Sequence, residues 1–399
     1  MIALRVTRYA LRVHKKRATR NPQPATRNPQ PETRRKMKLK IPDYFSKIKP
    51  YVPGKPIEEV EREYGIGNSI KLASNENPLG PSPMAVKAIQ RALDKLHRYP
   101  DAGGYELIES IAEKNNIDPG NIVLGNGSDD IIAMLARVLL GSDHEVILPQ
   151  PSFLFYEISI LSSGALPIRV PLKSFKTDLE GMLQKISPNT RMIFLNVPHN
   201  PTGTIISRQD FEDFIAEVPS NIVIVLDEAY IEFVSTTNCV NSFDFLNTAK
   251  TIVGMRTFSK AFGLAGLRVG YGVMPASLAE LLHRVRQPFN VNTLAQVAAA
   301  AALRDTEFLQ KTVNLVHAEL EFMYDALDKL KLSYIRSQAN FFMVQVGDGR
   351  TADEVFEKLL KQGMIVRSMT SYGYSGYIRV TIGKHEENIR FLEALEKVI

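Results

Sequence analysis

The sequence predicts an α/β protein, with a large, doubly wound, mostly parallel sheet domain accompanied by a smaller α/β domain. Three observations predict it. Between Ile122 and Met274 short apolar runs alternate with helix-compatible stretches, the order that a parallel sheet with crossover helices requires. Ile222 to Leu226 is an unbroken run of branched apolar residues, which suits a strand covered on both faces. At 399 residues and 44% hydrophobic content, the chain is long enough for one large domain and a companion.

The amino-terminal segment stands apart from that core. Residues 1 to 36 carry eleven Lys or Arg against Glu32 alone, leaving 38 basic and 42 acidic residues for the rest, so the net charge of +6 belongs to the tail. Residues 18 to 31 are a tandem copy of Ala-Thr-Arg-Asn-Pro-Gln-Pro with no apolar periodicity. We expect a disordered basic extension, either an upstream run of translated sequence or an Arg-rich transit segment. It has too little apolar content to fold as a DNA-binding helix-turn-helix, and neither nucleic acid nor membrane is an expected partner. No apolar run approaches the ~18 residues of a membrane span. The single cysteine, Cys239, excludes an internal disulfide and fits a reducing cytoplasm. No metal site is expected.

Residues 37 to 70 read as an arm. Ile48 to Gly65 is punctuated by prolines and then becomes a short helix stopping at glycine, a segment that cannot bury itself alone. From 71 to 287 the large domain follows. It opens with a polar turn around Asn77, a helix from Pro83 to Leu96 and a second turn containing Tyr99. Strands are expected at 122–125, 145–148, 166–170, 191–197, 222–227, 251–256 and 268–274. After the first, Gly125-Asn126-Gly127-Ser128-Asp129-Asp130 leads into a helix over 131–140 with Ser128 as its cap, which offers free N–H groups and a positive helix end to an anion. Residues 288 to 399 are assigned to the small domain. It includes a long helix from Thr306, a helix near 351–362, and strands around Arg367 and Arg379. Arg379 lies within an apolar strand pattern, where a guanidinium needs an anionic partner.

Asp227 ends the strand of the Ile222–Leu226 run, and ligands of open α/β sheets bind at those carboxyl ends. Lys260 follows the apolar run 251–255 in a loop of small residues that admits a bulky group. Singly, each has an ordinary explanation as a turn former or a solvated charge. Jointly, a lysine for an imine, a carboxylate for a ring nitrogen and the Tyr230 hydroxyl for a phenolic oxygen fit pyridoxal phosphate.

Asp227-Glu228-Ala229-Tyr230, followed some thirty residues later by Ser259-Lys260-Ala261-Phe262-Gly263-Leu264-Ala265-Gly266-Leu267-Arg268, resembles the cofactor region of fold type I aminotransferases, and within them the histidinol-phosphate aminotransferase family. The resemblance covers roughly 37 to 399. It implies that Lys260 carries pyridoxal 5'-phosphate covalently and that Asp227 pairs the ring nitrogen. Asn196 and Tyr230 bond the ring oxygen, Phe153 stacks on the ring, and Ser128, Asp129, Ser259 and Arg268 hold the phosphate. Arg379, Arg367, Tyr51 and Asn77 are implied on the substrate side. Tyr99 reaches the neighbour's cofactor phosphate in a homodimer with shared sites. The implied reaction moves nitrogen from histidinol phosphate to 2-oxoglutarate. An aromatic aminotransferase, a phosphothreonine decarboxylase and a non-catalytic pyridoxal-binding regulator are the alternatives. The first has no use for a second phosphate-binding arginine, and the last usually carries a DNA-binding domain.

Overall fold

The structure, a computed structural model, describes residues 40–51, 54–347 and 349–399. The expected basic extension, 1 to 36, lies outside them. Residues 40 to 42, the described end of a first unit, form no helix or strand, and Asp43–Ile399 form one compact unit.

In that unit the arm runs into α1 (Ile57–Tyr64), which stops at Gly65 because glycine takes the left-handed conformation at φ 67°. Then come β1 (Ile70–Lys71), α2 (Pro83–Ala92) and α3 (Tyr105–Asn115). Ser82 accepts the Ala85 N–H at the start of α2, with proline at the first helical position. The α-helix ends at Ala92 rather than Leu96, and its last turn tightens to a 3-10 turn over Leu93–Lys95.

The alternation follows as β2 (Ile122–Gly125), α4 (Ser128–Leu139), β3 (Glu145–Gln150), α5 (Leu154–Ser162), β4 (Leu166–Pro171), α6 (Leu179–Leu183), β5 (Thr190–Asn196), α7 (Arg208–Glu217), β6 (Val223–Asp227), β7 (Thr251–Thr257) and β8 (Gly270–Val273). These strands form one seven-stranded sheet in the order β2-β8-β7-β6-β5-β3-β4. Only β8 runs against its neighbours. Period-two alternation assigns the faces. Val223 and Val225 pack with α4, α5 and α8 (Ala276–Val285), while Ile222, Ile224 and Leu226 pack with α6 and α7. Strand order reverses between β3 and β5, which makes their carboxyl ends a topological switch point.

Two predicted boundaries differ for one local reason. The helix that was to be capped by Ser128 begins there instead, and Gly127 is the cap, at φ 80°. The last strand starts at Gly270 rather than 268, since Arg268 takes a left-handed φ of 57°. Both departures lie where the Arg268 side chain meets Gly127: an added Cβ would lie 2.7 Å from Arg268 Nη2, the end of a flexible side chain, and the positive φ favours glycine there.

Beyond the sheet, α9 (Thr293–Arg304) packs its alanine face beside Leu107 and Leu124. The long α10 (Thr306–Lys329) then contributes Val316, Leu320 and Met323 to a second core. That core covers a four-stranded antiparallel sheet of β9 (Tyr334–Ile335), β10 (Phe341–Gln345), β12 (Arg367–Ser368) and β13 (Tyr377–Thr381). It is completed by α11 (Ala352–Lys361) and α12 (His385–Val398), while β11 (Met364–Ile365) pairs with β1. Tyr230 and Ala261 join the second core from the loops of the first sheet. Among the described residues no helix is long and apolar enough to cross a membrane.

Candidate active site

The carboxyl ends of β5, β6 and β7 open into a cleft of ≈ 920 Å³ that includes some solvent at its mouth, closed on the far side by β12, β13 and the arm. Register sets its floor, since Asn196 lies opposite Asp227 on adjacent parallel strands. Lys260, Asp227, Tyr230, Asn196, Phe153, Ser128, Asp129, Ser259, Arg268, Arg367, Arg379 and Tyr51, distant in sequence, all line this cleft.

Asp227 is buried at the end of β6, with its Oδ1 accepting the Ala229 N–H at 3.1 Å and its Oδ2 accepting the Tyr156 hydroxyl at 2.5 Å. Burial lifts its pKa to about 6 against the pull of those two hydrogen bonds. Lys260 directs its amine inward, donating to the Ser74 carbonyl at 3.1 Å. Burial, then the nearby Arg379 charge, brings its pKa down to about 8.

At one end of the cleft, Arg268 donates to Ser259 Oγ and to Asp129 Oδ2, each at 3.3 Å, beside the first turn of α4. Asp129 therefore reaches Arg268 with its side chain and can serve an anion only through its backbone. A helix start, an arginine and two serines form a cradle for a dianion. At the opposite end Arg379 is buried and held by neutral acceptors, Asn200 Oδ1 at 2.6 Å and the Ala73 carbonyl at 2.7 Å. Its Nε is buried without a partner. No Asp or Glu pairs with Arg379 among the described residues, which removes the internal ion pair as its explanation. Arg367 lies directly opposite it across β12–β13.

Two predicted positions make contacts that differ from those expected. Asn77 does not line the cleft; its amide donates to the Ala261 carbonyl and Thr312 Oγ1, and its oxygen caps Leu79, so the residue ties loops together. Asn75 takes the cleft position instead, buried at φ 56°, with its amide donating to the Tyr230 hydroxyl at 2.9 Å. Asn196, expected on the ring oxygen beside Tyr230, lines the cleft, and its amide donates to Tyr156 on the Asp227 side. Asn200, four residues later, donates to the Tyr230 hydroxyl at 3.4 Å. Tyr99, expected at a partner's site, is 81% exposed, stacked on Phe289 at 4.6 Å and outside its own chain's cleft.

Sequence reading missed Asn75, Tyr156, Asn200 and Tyr372. Asn200 carried a signal in its own Asn-Pro-Thr-Gly motif, and Tyr156 in its place one helical turn after Phe153. Tyr372 lies in a loop and carried none. His199 is buried with Nδ1 against Thr202 Oγ1 at 2.9 Å, and burial lowers its pKa to about 4. Among the described residues no group of His, Cys, Asp or Glu could hold a metal ion.

A family model for aminotransferase class I and II matches residues 67–395. The chain is 46% identical to histidinol-phosphate aminotransferase 1 of Nitrosococcus oceani, over 88% of this chain and 94% of that protein. It is 44% identical to the histidinol-phosphate aminotransferase of Moorella thermoacetica, over 88% and 91%. In fold it is similar to the Sinorhizobium meliloti histidinol-phosphate aminotransferase solved with pyridoxal-5'-phosphate, with a TM-score of 0.82, 24% identity, and coverage of 90% and 97%. The L-threonine-O-3-phosphate decarboxylase of Porphyromonas gingivalis shares the fold at a TM-score of 0.73 and 22% identity, covering 82% and 98%.

Proposed function

The chain belongs to the histidinol-phosphate aminotransferases within aminotransferase class I and II, and from that membership we propose its reaction in full. It is a pyridoxal-phosphate-dependent aminotransferase of histidine biosynthesis that takes the amino group of L-histidinol phosphate and releases imidazole acetol phosphate. We assign 2-oxoglutarate as the acceptor, giving L-glutamate. The cytoplasm is the compartment we expect, and the carrier of the reaction a homodimer.

The cleft fits the cofactor on its own chemistry. It offers a dianion cradle at one end, a buried carboxylate in the middle, an amine of lowered pKa between them, and a flat aromatic, Phe153. Pyridoxal phosphate, when bound, supplies an aldehyde that links to amines and a ring that accepts electrons. Ser128, Ser259, Arg268 and the start of α4 would hold its phosphate. Asp227 would keep a proton at its ring nitrogen, and Tyr230, with Asn200 behind it, would bond its ring oxygen. Lys260 would be the attachment point, and its free amine would be the base that moves a proton at the substrate carbon.

The observation that carries the substrate reading is the pair Arg367 and Arg379, directly opposite each other on adjacent strands and facing one cleft. Like charges so placed repel. Arg379 has its pKa lowered by burial and further by Arg367. An anionic substrate group relieves both, and a donor phosphate or an acceptor carboxylate can serve in turn. Tyr51 lines the same end, its phenol raised by burial and Tyr372.

For the dimer, support comes from exposed apolar side chains: Tyr99 stacked on Phe289 and, near it in sequence, Leu93, Leu96 and Tyr105. A two-fold interface there would present Tyr99 to the partner's cleft. The substrate assignment is tested by Arg367→Ala. A charged hydrogen bond contributes about 2 kcal/mol, or roughly thirtyfold, so kcat/KM for histidinol phosphate should fall by at least that factor while plain amines are spared. Equal losses on both donors would remove Arg367 from phosphate recognition.

A further inference from the structure

Behind the cleft floor lies a fully buried phenol that none of these roles uses. Tyr156 sits in the first turn of α5, three residues after Phe153, with its ring stacked on Phe194 of β5 at 4.4 Å and 7°. Its hydroxyl has two close partners of different kinds. The Asn196 amide donates to it at 2.6 Å, and it stands 2.5 Å from Asp227 Oδ2. An amide N–H can only donate, so the hydroxyl's own proton must point to the carboxylate. The direction of the whole chain, Asn196 to Tyr156 to Asp227, is thereby fixed by donor chemistry.

We propose that Tyr156 is a positioning residue for the transamination, with its hydroxyl, oriented by Asn196, holding the Asp227 carboxylate ionised and aimed at the cofactor ring. The proposal rests on the reading that Asp227 faces the ring nitrogen. The need for such a device is visible in the charges around Asp227. Asp129 from α4 and Glu228 from its own segment both disfavour its ionised form, as does burial, while Tyr230 is a further acidic neighbour. The Tyr156 hydroxyl and the Ala229 N–H oppose them. Asn196 then acts at one remove, and its oxygen is buried without a partner among the described residues.

The test uses the holoenzyme, Tyr156→Phe, Asn196→Ala, their double variant and Asp227→Ala. Tyr156→Phe keeps the ring on Phe194 and removes only the hydroxyl. Three quantities are measured: the equilibrium constant for pyridoxal phosphate release, the pH dependence of the bound cofactor's absorbance, and the acid limb of kcat/KM. Removing a hydrogen bond to an ionised group raises its pKa, so the acid limb should move up by about one pH unit and cofactor retention should weaken about tenfold. Asn196→Ala alone should shift both in the same direction by less, which keeps the proposal testable if Tyr156→Phe folds poorly. In the Tyr156→Phe background, Asn196→Ala should add nothing. An unmoved acid limb and absorbance profile in Tyr156→Phe would make Tyr156 a packing residue and overturn the proposal. Additive losses in the double variant would place Asn196 on the cofactor itself and overturn the relay. Asp227→Ala separates this proposal from its premise, because a large loss there beside an unmoved Tyr156→Phe leaves the premise standing.

Discussion

At the residue scale the chemistry rests on two opposed shifts, Lys260 down and Asp227 up, both caused by burial at strand ends. The lysine shift has a direct consequence for pH. The unprotonated amine is the nucleophile, and its fraction grows as pH rises through about 8. Covalent capture of pyridoxal phosphate by cofactor-free enzyme should therefore climb up to about tenfold per pH unit below that value and level off above it. A rate still climbing through pH ~10, as for an ordinary lysine, would contradict the shift. Lys260→Ala should abolish capture, and a borohydride-trappable bond surviving in that variant would move the attachment elsewhere. Asp227→Ala should retain cofactor weakly and lose well over tenfold in turnover, since uncoupling a buried charge pair costs ~3–5 kcal/mol. A smaller drop would mean that Asp227 does not face the ring. Lys260 and Asp227 were legible in the sequence because strand ends are marked by where apolar runs stop. Asn75 was not, because its partner comes from 155 positions away, and helical spacing set Tyr156 beside Phe153 but could not encode its contact with Asp227, 71 positions away.

The element scale shows where local rules were overridden. The strands of the first sheet were readable from unbroken apolar runs, and all seven lie within two residues of expectation. Ser128 looked like a helix cap by residue type, yet Gly127 holds that place at a positive φ, against the end of the Arg268 side chain. The left-handed Arg268 likewise has no sequence signature, since glycine and asparagine are the residues that usually mark such positions. Gly127→Ala tests this joint. The new Cβ meets the far end of a flexible side chain, so Arg268 should move aside, while the positive φ adds backbone strain of ~1–3 kcal/mol. Cofactor affinity should drop by tenfold or more with a modest fall in Tm. Unchanged affinity would show that the Gly127–Arg268 contact does not shape the phosphate cradle.

At the scale of the whole molecule, the chain brings two cores together around one cleft, and Tyr99 points away from it. The proposed two-fold dimer gives that residue a destination. Mixing inactive Lys260→Ala chains with Tyr99→Ala chains should restore partial activity, because one site of each heterodimer then contains both residues. No rescue despite confirmed subunit exchange would confine each site to a single chain. The resemblance read from the motifs extended to substrate class because Arg367 and Arg379 fall on strands whose spacing lets them face one another, although which loop asparagines reach the cleft became visible only in three dimensions. The most direct measurement is an amino-donor comparison with 2-oxoglutarate as acceptor, following glutamate from histidinol phosphate, phosphothreonine and phenylalanine. Rapid glutamate formation from histidinol phosphate, at least tenfold above either competitor, is the predicted result; carbon dioxide release from phosphothreonine, or equal rates with phenylalanine, would contradict it.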